Sequence, residues 1–188
     1  MKKILSFSAI FTVMVMMACS NAETETTTTD NATDATTLSG GQSAVQDDVS
    51  QKDIVKVAAG SADHSTLVAG VKQADLVNSL SNAGPFTVFA PTNAAFDKVP
   101  KETLSNLMKD ENKAQLQDIL QYHVSLGVFK PEMLQDGQSL GQANGGNITI
   151  SNKDGKIMIN NSANIIATIP ASNGIIHVID AVLLPPSN

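Results

Sequence analysis

Four side chains could carry chemistry by type alone: Cys19, the single cysteine, and the three histidines His64, His123 and His177. A thiolate or a neutral imidazole can attack, take a proton or hold a metal, but only beside partners that tune it. The spacing supplies no such partners. The histidines are scattered, whereas zinc sites usually show a close pair at i and i+4. Asn152-Lys153-Asp154-Gly155 offers two oxygen-bearing side chains and a glycine, but it lacks the alternating acidic series and closing glutamate of a calcium loop and reads as a turn. There is no Gly-x-Ser-x-Gly elbow, phosphate loop or glycine-rich dinucleotide fingerprint. The expectation is therefore no catalytic residue, no metal ligand and no cofactor. Cys19 cannot close an internal disulfide, which leaves its thiol as a place for modification.

The context of Cys19 says which modification. Met1-Lys2-Lys3 is followed by an apolar run from Ile4 to Met17 and then by Ala18 and Cys19, the order of an export signal. The run is shorter than the roughly 20 apolar residues that cross a bilayer, so it reads as an address. Met16-Met17-Ala18-Cys19 resembles the lipobox of bacterial lipoproteins, which implies lipid on the Cys19 thiol and cleavage just before it. Cleavage after Ala22 would instead release a secreted protein. Two or more acyl chains, at about 0.8 kcal/mol per buried methylene, anchor a protein without any basic patch. Loss of residues 1–18 removes Lys2 and Lys3 and takes the net charge from −6 to −8. An acidic chain with no arginine lacks the guanidinium forks that read phosphates and bases, so nucleic acid is excluded as a partner.

Stepping along the mature chain, residues 19–49 are Thr-rich and acidic, with Thr26-Thr27-Thr28-Thr29 and isolated aliphatics. Such a segment buries too little to offset its ordering entropy and reads as a flexible, lipid-anchored linker. Residues 50–186 turn densely aliphatic and suit one domain. Asp53 should cap a helix from Ile54 to Ala59. Further helices are expected from Ser65, from Asp75, after Pro100, and around Leu116, Ile119 and Leu120, whose spacings of three and four form apolar stripes. Strands follow: a hairpin of Asn147 to Ser151 and Lys156 to Asn160 about Asp154-Gly155, then Ser162 to Ile169 and Gly174 to Leu184. Helices first and antiparallel strands later predict an α+β fold.

Between the helical blocks lies Gly84-Pro85-Phe86-Thr87-Val88-Phe89-Ala90-Pro91-Thr92-Asn93-Ala94-Ala95-Phe96, a buried strand turning into a helix capped by Thr92 or Asn93. This run resembles the first signature block of the fasciclin domain family. Asn173-Gly174-Ile175-Ile176-His177-Val178-Ile179-Asp180, continuing to Pro185, resembles the second, and Asp118 to Val124, with Tyr122-His123, the Tyr-His region between them. Thr87, Phe89, Pro91, Thr92, Asn93, Phe96, Asn173, Gly174, His177 and Asp180 are the matching structural residues.

The resemblance implies a single compact domain, helices on a wedge of antiparallel sheets, in a family of adhesion and surface-recognition proteins rather than enzymes. It also implies recognition at Tyr122 and His123. A strand there would point one side chain in and the other out: the residues themselves read as a packed pair hydrogen-bonded to hydroxyls such as Thr87 and Thr92, or, for the outward one, as part of a contact patch. The expected protein is a lipid-anchored, monomeric binding module outside the cytoplasm, meeting a cell-surface or matrix protein or a glycan. The rival readings are an envelope-maintenance lipoprotein acting on periplasmic proteins and a small-ligand carrier, the last requiring an apolar cavity.

Overall fold

Local rules account for the ends of the first elements. In the computed structural model, which describes residues 51–186, the Asp53 carboxylate accepts the amide of Lys56 at 2.8 Å and starts α1 (Ile54–Ala59). α2 (Ser65–Gln73) buries Leu67, Gly70 and Val71. It ends where Asp75 takes a positive φ of 55°, and the chain restarts as α3 (Val77–Ser81). β1 (Phe86–Pro91) runs into α4 (Asn93–Phe96), whose first turn is capped by Thr92 through the Ala95 amide at 3.2 Å. α5 (Lys101–Leu107) follows Pro100, and α6 (Lys113–Tyr122) buries Leu116, Ile119 and Leu120 on one face. Each such side chain contributes about 1.5–3 kcal/mol when fully buried.

The remaining strands are β2 (Val124–Leu126), β3 (Ser139–Gly141), β4 (Asn147–Lys153), β5 (Lys156–Ile159), β6 (Ala163–Ala171) and β7 (Gly174–Ile179). Their order is β2-β1-β7-β6-β5-β4-β3. The β4–β5 hairpin turns on Asp154 and Gly155, both with positive φ, and pairs Lys153 with Lys156, as the Asp-Gly dipeptide predicts. β1 and β7 pair in parallel, Phe86 opposite Gly174 through Pro91 opposite Ile179. The sheet is thus mixed rather than wholly antiparallel. Its two outer strands meet again: Ser125 bridges Gln142, the Ala143 amide donates to the Val124 carbonyl at 2.7 Å, and Gln142 Nε2 donates to Ser125 Oγ at 2.8 Å. The seven strands therefore curl into a ring.

β7 stops at Ile179, short of the expected Leu184. Beyond it the Asp180 carboxylate, not a main-chain carbonyl, receives the Asn164 amide at 2.7 Å, and the chain turns away toward α6. Strand alternation divides the interior in two. Val88, Ala90, Ile176 and Val178 face the helices; Phe89 and Ile179, with Ile148, Ile150 and Ile159, fill the curl of the sheet.

Candidate functional site

The Tyr-His region sits where both cores meet, and it is helical as far as Tyr122. α6 ends at Tyr122, and His123 caps it. The last carbonyls of a helix have no partner within the helix. Ile119 finds one in His123 Nδ1, 2.8 Å away. On the far side, the Leu183 main-chain amide donates to His123 Nε2 at 3.0 Å. A carbonyl only accepts and an amide N–H only donates, so the proton sits on Nδ1, Nε2 is bare and the ring is neutral. Burial pushes its pKa down to about 4, opposed only in part by the bond to the Ile119 carbonyl.

Tyr122 is buried as well. Its hydroxyl donates to the Asn147 carbonyl at 2.9 Å and accepts from Asn160 Nδ2 at 3.1 Å, tying α6 to β4 and the turn after β5. Gly146 is what lets the ring in: a Cβ there would stand 2.9 Å from it. The strand expected at Tyr122-His123, with one side chain outward, is therefore corrected. Both are 2% exposed, because the helix persists to Tyr122 and its final turn aims one ring into each core.

The polar signature residues converge on the segment that follows. Thr87 Oγ donates to the Gly127 carbonyl at 2.7 Å and accepts the Phe129 amide at 2.9 Å. His177 Nε2 donates to the Phe129 carbonyl at 2.8 Å, while Nδ1 accepts from the Thr168 hydroxyl at 2.9 Å. The His177 ring stacks on Phe89 with centroids 5.7 Å apart. Burial lowers its pKa against the opposing bond to Phe129. Held at Gly127 and Phe129, the segment presents Leu126 and Val128 to solvent, 68% and 39% exposed. Leu126 lines an open apolar groove of about 360 Å³ with Leu76, Leu80, Phe86 and Ala143.

The other signature residues staple elements together. Asn93 accepts the Thr66 amide at 3.0 Å and donates to the Ala62 carbonyl at 2.9 Å. Asn173 accepts the Ile54 amide at 3.0 Å and donates to the carbonyls of Leu80 and Asn82 at 2.7 and 2.9 Å. Gly174 allows the close parallel approach, since a Cβ would lie 2.0 Å from the Phe86 carbonyl oxygen. Asp180 grips Asn164 through both carboxylate oxygens. Burial alone would raise its carboxyl, but the Asn164 bonds and Lys98 hold it below the usual range. Phe96 packs on the helical core and Pro91 closes β1. His64 bonds Ser61 at 2.9 Å; burial lowers its pKa against the pull of Asp63. Cys19 lies outside the described residues. Among those residues no helix is long and apolar enough to cross a membrane.

The fasciclin domain model matches residues 62–185. The chain belongs to the fasciclin domain family. Protein sll1483 of Synechocystis sp. is 52% identical over 133 residues, 71% of this chain and 73% of that one. The cell surface glycolipoprotein MPB83 of Mycobacterium bovis is 37% identical over 113 residues, 60% of this chain and 49% of that protein. Among solved structures, a FAS1 domain pair from the insect cell adhesion molecule Fasciclin I aligns with a TM-score of 0.65 at 19% identity, covering 71% of this chain and 51% of that one. It shares this chain's fold. Relatives of the fasciclin domain thus include named adhesion and surface proteins.

Two features of this fasciclin domain have no position marked by the sequence, although the ligand-carrier alternative calls for an apolar cavity. One is the Leu126–Val128 ledge, signalled only by two aliphatics flanking Gly127 just after the Tyr-His pair. The other is an apolar cavity of about 210 Å³ beneath α5, bounded by α2, α6 and the segment after β7.

Proposed function

We propose that this fasciclin domain is a non-catalytic recognition module that works outside the cytoplasm, tethered by lipid on Cys19, and contributes to adhesion through the ledge at Leu126 and Val128. The observation that carries this reading is the convergence of Thr87 and His177 on the segment bearing those residues. Polar side chains that would serve a reaction are instead engaged in holding main chain. His123 and His177 have both ring nitrogens occupied, and neither is poised to move a proton at neutral pH. An exposed Leu126 beside an apolar groove suits contact with another surface, because apolar area removed from water drives association, while the negative charge of the chain as a whole favours basic or cation-bridged partners. The partner is a cell-surface or matrix protein or a glycan, and the domain meets it as a monomer.

The test is a double variant, Leu126→Asp with Val128→Asp, compared with the parent for adhesion to cells, matrix proteins and glycan surfaces. Both side chains are solvent-exposed, so the melting temperature should move by no more than a few degrees, while adhesion falls about tenfold or more. Undiminished adhesion by the folded variant would rule out the ledge.

A further inference from the structure

The cavity beneath α5 is independent of the ledge and does not enter the adhesion reading. Its wall passes from Gly70 on α2, under Leu104, Leu107 and Met108 of α5 and its end, to Leu116 on α6 and the exposed Leu184. Volume is the first observation. At about 210 Å³ it exceeds the ~150 Å³ apolar cavity that stays dry and admits benzene. Chemistry is the second. His123 is the one ionisable side chain in the wall, and both of its ring nitrogens are already bonded to main chain. Thr66 and Thr103 are the other polar side chains in a wall that is otherwise apolar, so the interior offers no charge partner and little to a ligand with many hydrogen-bonding groups, which would go unpaired.

Gly70 is the third observation. It lies buried in the middle of α2, where glycine weakens a helix relative to alanine. No steric requirement explains it: a Cβ at Gly70 would find only Leu116 Cδ1, at 4.0 Å, an ordinary contact. What the missing side chain provides is space, since Gly70 lines the cavity. Leu184, 60% exposed, gives an apolar approach at the open side.

We infer that this cavity is a binding site for a single unbranched hydrocarbon chain, the tail of a fatty acyl group, with its polar head left in water. The source is a separate lipid or fatty acid rather than the acyl group expected on Cys19, which the bilayer holds.

The methionines provide the readout. Met108 lines the cavity, whereas Met133 and Met158 do not, so ε-methyl NMR carries its own controls. The full-length chain with Cys19→Ser is titrated with n-octanol, whose hydroxyl can remain at the mouth. A saturable shift of Met108, with Met133 and Met158 unmoved, is expected; absence of a saturable Met108 shift overturns the inference. Gly70→Leu fills the space and should weaken the titration about tenfold or more. If that variant does not fold, Gly70→Ala should still weaken binding several-fold while raising the melting temperature. Native-like binding by whichever of the two folds would refute the site. The lipidated parent should respond as Cys19→Ser does. If its Met108 is already shifted and unresponsive, the cavity holds the protein's own acyl group and the assigned source is wrong.

Discussion

Acidification should unlock the His123 clasp, and its size follows from the geometry. In the folded chain Nε2 receives the Leu183 amide; a proton placed there would set donor against donor inside an apolar site. The folded pKa of about 4 lies below the ordinary 6.5, so below 6.5 the unfolded chain binds the proton first and stability falls as pH falls. The contribution is complete above the unfolded value, drains away between pH 6.5 and 4, and changes no further below. At about 1.36 kcal/mol per pKa unit, the loss is roughly 1 kcal/mol by about pH 5.5 and roughly 2–3 kcal/mol by about pH 4.5. The comparison is with His123→Gln, which cannot titrate and whose amide oxygen can still accept from Leu183. Urea unfolding across this range isolates the group, because His177, His64 and Asp180 are common to both proteins and cancel. The variant should be less stable at neutral pH, having lost the bond to Ile119, and the gap should close by roughly 2–3 kcal/mol on acidification. Parallel stability curves for the two proteins would refute the neutral, doubly bonded imidazole.

Two other substitutions test different links. Gly174→Ala brings a methyl against the Phe86 carbonyl oxygen and must pry apart β1 and β7. Overpacking of this kind costs about 1–3 kcal/mol or more, a fall of several degrees in melting temperature, measurable by circular dichroism. Cys19→Ser should abolish incorporation of radiolabelled palmitate and move the protein from the membrane pellet to the soluble fraction; retained label would place the lipid elsewhere.

What the sequence made legible was local. Asp53 and Thr92 cap the helices beside them, and Asp154-Gly155 makes its hairpin, because each signal and its structure lie within a few residues. The parallel register of β1 on β7 was not readable, since nothing near Phe86 specifies a partner at Gly174. For Tyr122-His123 a packed, hydrogen-bonded pair was legible but its helical setting was not, for a related reason. Alternation suits the strand that begins at Val124, but the bonds that extend the helix to Tyr122 come from Asn147, Asn160 and Leu183, all distant in sequence. The candidate site follows the same division. The signature blocks flagged Thr87 and His177, yet their joint grip on Gly127 and Phe129 emerges only once β1, β7 and the segment after β2 lie side by side. The cavity depends on where α5 settles against α2 and α6, which no periodicity reveals.

The place of β7 in the sheet carries a consequence for how the chain comes into being. It comes last in the chain among the described strands, yet it sits between β1 and β6, and Asn173 just before it holds the start of α1. The early helices and β1 cannot complete their packing until residues near 174–179 have emerged. Such distant pairing delays folding. On the export route proposed for this chain, such a delay would be useful: it would leave the polypeptide unfolded during passage, to close once β7 arrives on the far side.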